Sequence, residues 1–272
     1  MSRRIVFSLV LYQHRIIDFL PLLHSVSSLA YHRFDYSVAL AVYDASPASF
    51  PAVSVDEIAE SIPAVNLIYH KARNIGFGSA NNYNFKSSCL SGSDIFVVAN
   101  PDISFVSHEI TPLFDWLWES AGRVSCVAPL IANSCGDIQF SAKRNPTLLS
   151  LLLGRFGFLR RFNRFLEYDS WHRNLTSDYA SQVITSPYLS GCFLVIPCHY
   201  YLLVGGFCER FFLHLEDADL VRRLSGVGLS LHNPIARVTH LWARGSHSSL
   251  FQMYWLSRSL ILYWSIWGLS FA

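Results

Sequence analysis

The chain has 272 residues, which suits one large domain or two small ones. Half of the residues are hydrophobic (51%) and only 15% are charged, which excludes a disordered chain and leaves material for a sizeable core. A formal net charge of +2 offers no clustered basic footprint for nucleic acid.

Residues 5–12, IVFSLVLY, read as a first core strand. Their apolar run is too short, and lacks the small-residue cleavage site, for a signal peptide. A helix is expected over 16–29, then a second strand, YSVALAVYD, ending on Asp44, and a Pro/Ser/Ala stretch over 46–53. VNLIYH is the third strand. NIGFGSANNYNFKSSCL reads as a glycine turn leading into a helix capped near Ser79. DIFVVANPD is the fourth strand. Strands alternating with helices predict an α/β fold with a mostly parallel, Rossmann-like central sheet covered by helices. Ligands of such sheets bind at the carboxyl ends of the strands. Tyr12, Asp44, Asn74 with Gly76, and Asp102 all fall at those ends. The glycine turn is not G-x-G-x-x-G, so a dinucleotide fingerprint is absent.

Further on, a helix over 110–121 leads to the strand VSCVAPLI. Residues 133–186 show only a helical tendency. Arg155, Arg160, Arg161, Arg164 and Arg173 gather there, as a solvated face or as a patch for anionic lipid or a phosphorylated acceptor. YLSGCFLVIP reads as one core strand. A glycine turn with aromatics covers 204–212, and LEDADLVRRLSGVG is a short helix with carboxylates at its start. LSLHNPIARVTH ends strand-like on His240, followed by WARGSHSS. The last fourteen residues, SLILYWSIWGLSFA, carry no charge, yet a bilayer-crossing helix takes about twenty. They read as a helix docked on the domain or lying at a membrane interface. The six cysteines, Cys89, Cys126, Cys135, Cys192, Cys198 and Cys208, form no C-x-x-C pair or zinc-finger spacing. They are expected to be buried thiols in a reducing cytosol.

Four stretches carry candidate chemistry, each with an ordinary alternative. Asn100-Pro101-Asp102 can be a turn. In Glu216-Asp217-Ala218-Asp219, Asp219 can pair with Arg222 or Arg223 one helical turn on. His240 can be a satisfied strand-end residue. NIGFGSANN can be a turn and a helix start.

Taken in order and spacing, these stretches resemble the family 2 glycosyltransferases of the GT-A fold, especially bacterial rhamnosyltransferases. LVLYQHR resembles their first-strand "TYN", VYDAS their "VDNxS", NIGFGSANNYNF their "NxGFaxaxNxG", and VVANPDISF their "llNPDv". The block from SGCFLVIP through FLHLEDADLVRRL to IARVTH resembles their long "SGaxmlirr…GgFDExfFlyxEDxDLcxR…PxaxxxH" signature. The likeness covers most of residues 5–247 and is weak in 133–186 and in the tail.

The resemblance implies one GT-A domain over residues 1–250, with a nucleotide-sugar half to about 105 and an acceptor half over 106–250. Residues 251–272 would be an appended apolar aromatic helix. It implies a nucleotide-sugar donor, Mg²⁺ or Mn²⁺, and inverting transfer to a hydroxyl. Tyr12, Asp44, Asn74, Gly76, Gly78, Asn82 and Asn100 would form the donor pocket. Asp102 and His240 would hold the metal, Asp217 would be the general base, and Glu216 would support it. The expected reaction moves L-rhamnose from dTDP-rhamnose to a cell-surface polysaccharide, such as O-antigen, or to a lipid-linked oligosaccharide, at the cytoplasmic face of the inner membrane. Galactosyl, galactofuranosyl or N-acetylglucosaminyl transfer from a UDP-sugar is the alternative within the family. A non-catalytic nucleotide-sugar or glycan-binding module is the alternative of another class. The chain departs from the family at Ala45, where Asn is usual, and at Cys208, where "GFDE" becomes GFCE. Neither change touches Asp102, Asp217 or His240.

Overall fold

The computed structural model describes residues 3–51, 53–120, 122–241 and 250–272. WARGSHSS (242–249), Ala121 at the end of the helix expected over 110–121, and the Arg155 side chain lie outside the described residues. The elements run β1 (Arg3–Leu11), α1 (Ile16–His32), β2 (Tyr36–Asp44), α2 (Val55–Ser61), β3 (Asn66–Lys71), α3 (Phe77–Ser87), β4 (Ile95–Ala99), β5 (Ile103–Ser104) and α4 (Ser107–Glu119). They continue with β6 (Val124–Ala132), β7 (Ala142–Lys143), α5 (Leu148–Arg155), a 3-10 turn (Gly157–Arg161), α6 (Asn163–His172), β8 (Ile184–Thr185) and β9 (Tyr188–Leu189). Last come β10 (Phe193–Pro197), α7 (Cys198–Leu203), α8 (Glu216–Ser225), β11 (Leu229–His240) and α9 (Leu250–Trp267).

Among the described residues, nine strands form one sheet in the order β3-β2-β1-β4-β10-β6-β11-β5, with β8 paired to β11. The pairs of β1 with β2 and β4, of β2 with β3, and of β6 with β11 are parallel. The central strands are largely apolar and buried, as expected of strands covered on both faces. Ser8 is a buried polar residue in β1. Its hydroxyl donates to Asn81 Oδ1 (2.6 Å) and accepts from Asn84 Nδ2 (3.0 Å). Asn84 also donates to the carbonyls of Leu9 and Ala41, so α3 is fastened to β1 and β2 by polar bonds inside a dry core.

Two features of the sheet place the site. β10 runs antiparallel between β4 and β6, with Phe193 opposite Ala99. It therefore starts at the edge where β4 ends. YLSGCFLVIP is thus not one strand. It divides into β9 and β10 around residues 190–192, because β9 leaves the sheet to pair with β7 in a separate two-stranded ribbon.

Other boundaries shift for local reasons. α3 starts at Phe77, before the expected cap at Ser79, because Gly76 adopts φ 89° and Phe77 N donates to Phe212 O. Region 133–186 resolves into β7, α5, the 3-10 turn, α6 and β8. All six cysteines are free, but only Cys126, Cys192 and Cys198 are buried; Cys89 and Cys135 are exposed, contrary to expectation. α9 docks on α8. Ser259 Oγ donates to Leu213 O, Trp267 Nε1 donates to Asp219 Oδ1 (2.9 Å), and the Arg222 guanidinium lies 4.3 Å from the Trp267 ring centroid.

Candidate active site

The expected residues collect where β1, β2, β4 and β11 end and where β10 and α8 begin. Asp44 is buried, accepting from Ser46 N (2.9 Å) and Tyr69 OH (2.8 Å), with Lys71 Nζ at 3.6 Å. Burial pushes its carboxyl up, but the Ser46 and Tyr69 hydrogen bonds and Lys71 outweigh this and hold it below the usual range. Tyr12 and Asn74 are exposed at the rim, and Asn74 Oδ1 accepts from Gly76 N (3.0 Å).

Gly76, Gly78 and Asn82, expected to shape the donor pocket, pack against a neighbouring loop. A Cβ on Gly76 would lie 2.5 Å from Phe212 O, and one on Gly78 would lie 2.9 Å from Phe207 Cβ. Both glycines permit the 207–212 loop to approach α3. Asn82 spends its amide on that loop and on α7: it accepts from Tyr201 OH and Phe207 N and donates to Phe207 O and Glu209 Oε1. These three shape the wall rather than present groups to a ligand.

At the end of β4, Asn100 N donates to Cys192 O (2.9 Å). Two residues on, Asp102 Oδ1 lies 3.1 Å from Nε2 of His240, which is 138 residues distant in sequence. The opposite ring nitrogen, Nδ1, lies 2.8 Å from Gln139 Oε1. An Nδ1–H donated to that amide oxygen leaves the Nε2 lone pair facing Asp102, the usual way a supporting partner orients a metal-ligating imidazole. Among the described residues no third His, Cys, Asp or Glu joins the pair. One carboxylate and one imidazole, with further positions open to phosphate oxygens and water, suit Mg²⁺ or Mn²⁺.

The other acidic centre is the start of α8. The chain enters this helix through His214 (φ 71°) and Leu215 (φ 64°), two consecutive left-handed residues that are not glycine. Such residues cost on the order of 1–3 kcal/mol each and persist where their surroundings impose them. The strain directs three neighbouring acids to three environments. Asp219 turns inward to Arg223 (2.7 Å) and Trp267, so the expected ion pair is real. Asp217 is half-buried, and its Oδ2 accepts from Gly191 N (2.9 Å) and lies 3.4 Å from Tyr188 OH. A Cβ on Gly191 would sit 2.8 Å from Asp217 Cβ, so only glycine fits. Glu216 is 6% exposed, and its Oε2 is buried without a hydrogen-bond partner. Burial and the adjacent Asp217 push the Glu216 carboxyl up to about 8. At neutral pH Glu216 is therefore largely protonated.

No protein-family model matches the chain. Two curated relatives do: the N-acetylglucosaminyl-diphospho-decaprenol L-rhamnosyltransferases of two strains of Mycobacterium tuberculosis. Each is 31% identical over 183 residues, covering 61% of this chain and 56% of the relative. The match spans little more than half the length of those relatives. Among solved structures, GalNAc-T7 with UDP, GalNAc and Mn²⁺ aligns at TM-score 0.58 and 15% identity, over 88% of this chain and 44% of its own. Mannosyltransferase PcManGT from Pyrobaculum calidifontis, in complex with GDP-Man and Mn²⁺, aligns at 0.58 and 16% identity, over 91% and 60%. The fold is GT-A.

Within this GT-A fold the pocket holds residues that sequence reasoning passed over. His14 follows β1, where burial lowers its basicity against the pull of Asp18, Asp102 and Asp44. Gln139 and Lys143 come from the region left unassigned and Tyr188 from the start of YLSGCFLVIP, and the register of the β7–β9 ribbon is what brings the last two together. Gly191 had a visible signal, a lone glycine within an apolar strand pattern, which marks a break or a close approach.

Two predictions test this geometry. Gly191→Ala should displace Asp217 and lower turnover by about tenfold or more while leaving the denaturation midpoint near wild type. Equal turnover would show that the turn does not position the carboxylate. Glu216 should tie stability to pH. Its folded value lies above the ordinary 4.5, so its contribution is complete below that and is lost as pH rises through about 8. Glu216→Gln should flatten the fall in Tm between about pH 5 and pH 8, measured by thermal melts of both proteins.

Proposed function

We propose that the protein transfers a sugar from a nucleotide-sugar donor to a hydroxyl, with inversion at the anomeric carbon. The observation that carries this reading is the placement of two unlike centres on one turn. Asn100 N bonds Cys192 O on the Asp102–His240 side, and Gly191 N bonds Asp217 on the other. Inverting displacement needs a group that stabilises the departing diphosphate and a base on the opposite side for the acceptor proton.

Asp102 and His240 would hold Mg²⁺ or Mn²⁺, which when bound neutralises charge on the leaving diphosphate. Asp44, with Tyr12 and Asn74 at the rim, lies at the carboxyl ends of β1–β3 where a base and ribose would sit, and Asn100 borders the sugar. Asp217 takes the acceptor proton on a lone pair that its bonds to the Gly191 and Ala218 amides leave open. A protonated Glu216 keeps a second full negative charge away from Asp217 and offers a donor to an acceptor oxygen. The rhamnose assignment, and dTDP-rhamnose as donor, rest on the relatives' names and on the motif likeness. The same names describe a decaprenol-linked acceptor, which supports a lipid-linked acceptor here. The division into a donor half to about residue 105, an acceptor half over 106–250 and an appended 251–272 helix belongs to this reading.

A lipid-linked acceptor calls for contact with a membrane surface, placed at the cytoplasmic face of the inner membrane. No helix among the described residues is long and apolar enough to cross a membrane. One continuous surface is suited to lie on one. Leu148 N and Leu149 N donate to the carbonyls of Ser270 and Phe271, joining α5 to the end of the chain. Around that junction Phe156, Phe158, Phe162, Leu269 and Phe271 are exposed, and Arg161 lies over the rings of Phe158 and Phe162. Aromatic rings beside arginines match an interfacial surface over anionic lipid.

A thermal-shift panel of nucleotide sugars with Mg²⁺ or Mn²⁺ tests the donor, since a ligand of the folded state must raise Tm. dTDP-rhamnose should shift wild type, Asp102→Ala and His240→Ala should lose the metal-dependent part, and Asp217→Asn should keep the shift but lose transfer. A shift with a UDP-sugar alone would remove the rhamnose assignment. Phe158→Ser combined with Phe271→Ser should lower co-sedimentation with phosphatidylglycerol-containing vesicles by about tenfold, with wild-type transfer to a short-chain acceptor. Unchanged sedimentation would remove the membrane assignment.

A further inference from the structure

Lys143 is the feature of the pocket that the proposed chemistry leaves unused. It lies on β7, directly opposite Tyr188 of β9. Its Nζ is 5.5 Å from the Tyr188 ring centroid, and the Tyr188 hydroxyl reaches Asp217 Oδ2 at 3.4 Å. The lysine is half-buried, and its ammonium makes no hydrogen bond or ion pair with any described residue. The carboxylates that act on it are already engaged. Asp169 is held by Arg160 (2.9 Å) and Arg173 (3.3 Å), and Asp217 by Gly191 and Ala218 amides. Burial, with Arg173 nearby, disfavours the ammonium, and Asp217 favours it. A cation drawn out of water without a counter-ion is unfavourable unless a ligand brings the anion.

The side of the pocket on which Lys143 sits decides which anion. Asp217 and Asp169 exert the attractive charge on it, and its cross-strand partner Tyr188 reaches Asp217. The β7–β9 ribbon borders the N-terminus of α8, where the base is. A donor diphosphate would lie with Asp102 and His240, across the Cys192 turn. Resting on the transferase reading above, we propose that Lys143 binds a phosphate or diphosphate carried by the acceptor, and so selects phosphorylated sugars as acceptors. The cross-strand pairing of Lys143 with Tyr188 holds the ammonium where it meets that phosphate while a hydroxyl of the same sugar faces Asp217.

Binding measurements keep this claim separate from turnover. Two probes differ by the diphosphate group: N-acetylglucosaminyl diphosphate bearing a short alkyl chain, and the uncharged alkyl N-acetylglucosaminide. Lys143→Met keeps the apolar stem over Tyr188 and removes the charge; Lys143→Arg keeps the charge. Calorimetric titration should show Met weakening the diphosphate probe by about tenfold or more, as expected for a charge-assisted hydrogen bond. Arg should stay within about threefold of wild type, and the wild-type preference for the charged probe should fall in Met by the same factor as its affinity. In steady-state kinetics the loss should appear in KM for the phosphorylated acceptor and not in KM for the donor. Equal weakening of both probes by Met would make Lys143 a packing residue and overturn the claim, as would unchanged affinity. A rise confined to donor KM would assign the lysine to the donor diphosphate instead. Failure of wild type to transfer sugar from any nucleotide donor would remove the transferase reading, and the two-probe comparison would still decide the lysine.

Discussion

The site hangs on the turn at residues 190–192. Its two backbone groups point in opposite directions, the Cys192 carbonyl to Asn100 and the Gly191 amide to Asp217. A backbone hydrogen bond at each end fixes the spacing of the two acidic centres more firmly than any pair of side chains could, because the peptide has few soft torsions. The antiparallel insertion of β10 makes the turn available. A parallel strand at that position would bring its own carboxyl end to the pocket and carry its start to the far edge of the sheet. The usual rule that parallel sheets bind ligands at strand ends therefore holds here with an addition: the beginning of one reversed strand completes the rim.

A second ordering principle is electrostatic. Glu216, Asp217 and Asp219 lie within a single turn of α8, and helical geometry sends them to different surroundings. Asp219 is neutralised by Arg223, which also clamps the carbonyls of Val204 and Gly206. Glu216 is desolvated. Asp217 alone keeps two backbone donors and an opening to the pocket. The N-terminal end of a helix favours negative charge, and the protein directs that benefit to one carboxylate by keeping the adjacent one neutral.

Much of this was legible in the sequence, for reasons that differ by element. β2 is read correctly to the residue because YSVALAVYD is bounded by turn chemistry and buried on both faces. The strand-end residues Asp44 and Asp102 follow from the rule for parallel sheets, and the HLEDAD stretch from its motif likeness. The pairing of Asp102 with His240 closes a separation of 138 residues, and local periodicity carries no trace of such distances. The β7–β9 ribbon was illegible for a related reason. Two-residue strands have no period to detect, and their register is set by the turn at Gly191 and by the packing of α8. At Asn82 a buried amide inside a motif looks the same in sequence whether it faces a ligand or a loop; only its partners tell which.

Gly76 and Gly78 bring the backbone of α3 against residues 207 and 212 with no room for a single methyl group. A seam that tight cannot act as a hinge, since opening it would strip Asn82 of its bonds to Phe207 and Glu209 at once. The start of α3 and the loop leading to α8 must then travel as one body. Opening of the pocket is therefore left to the outer rim, the way a door works and a clam shell does not.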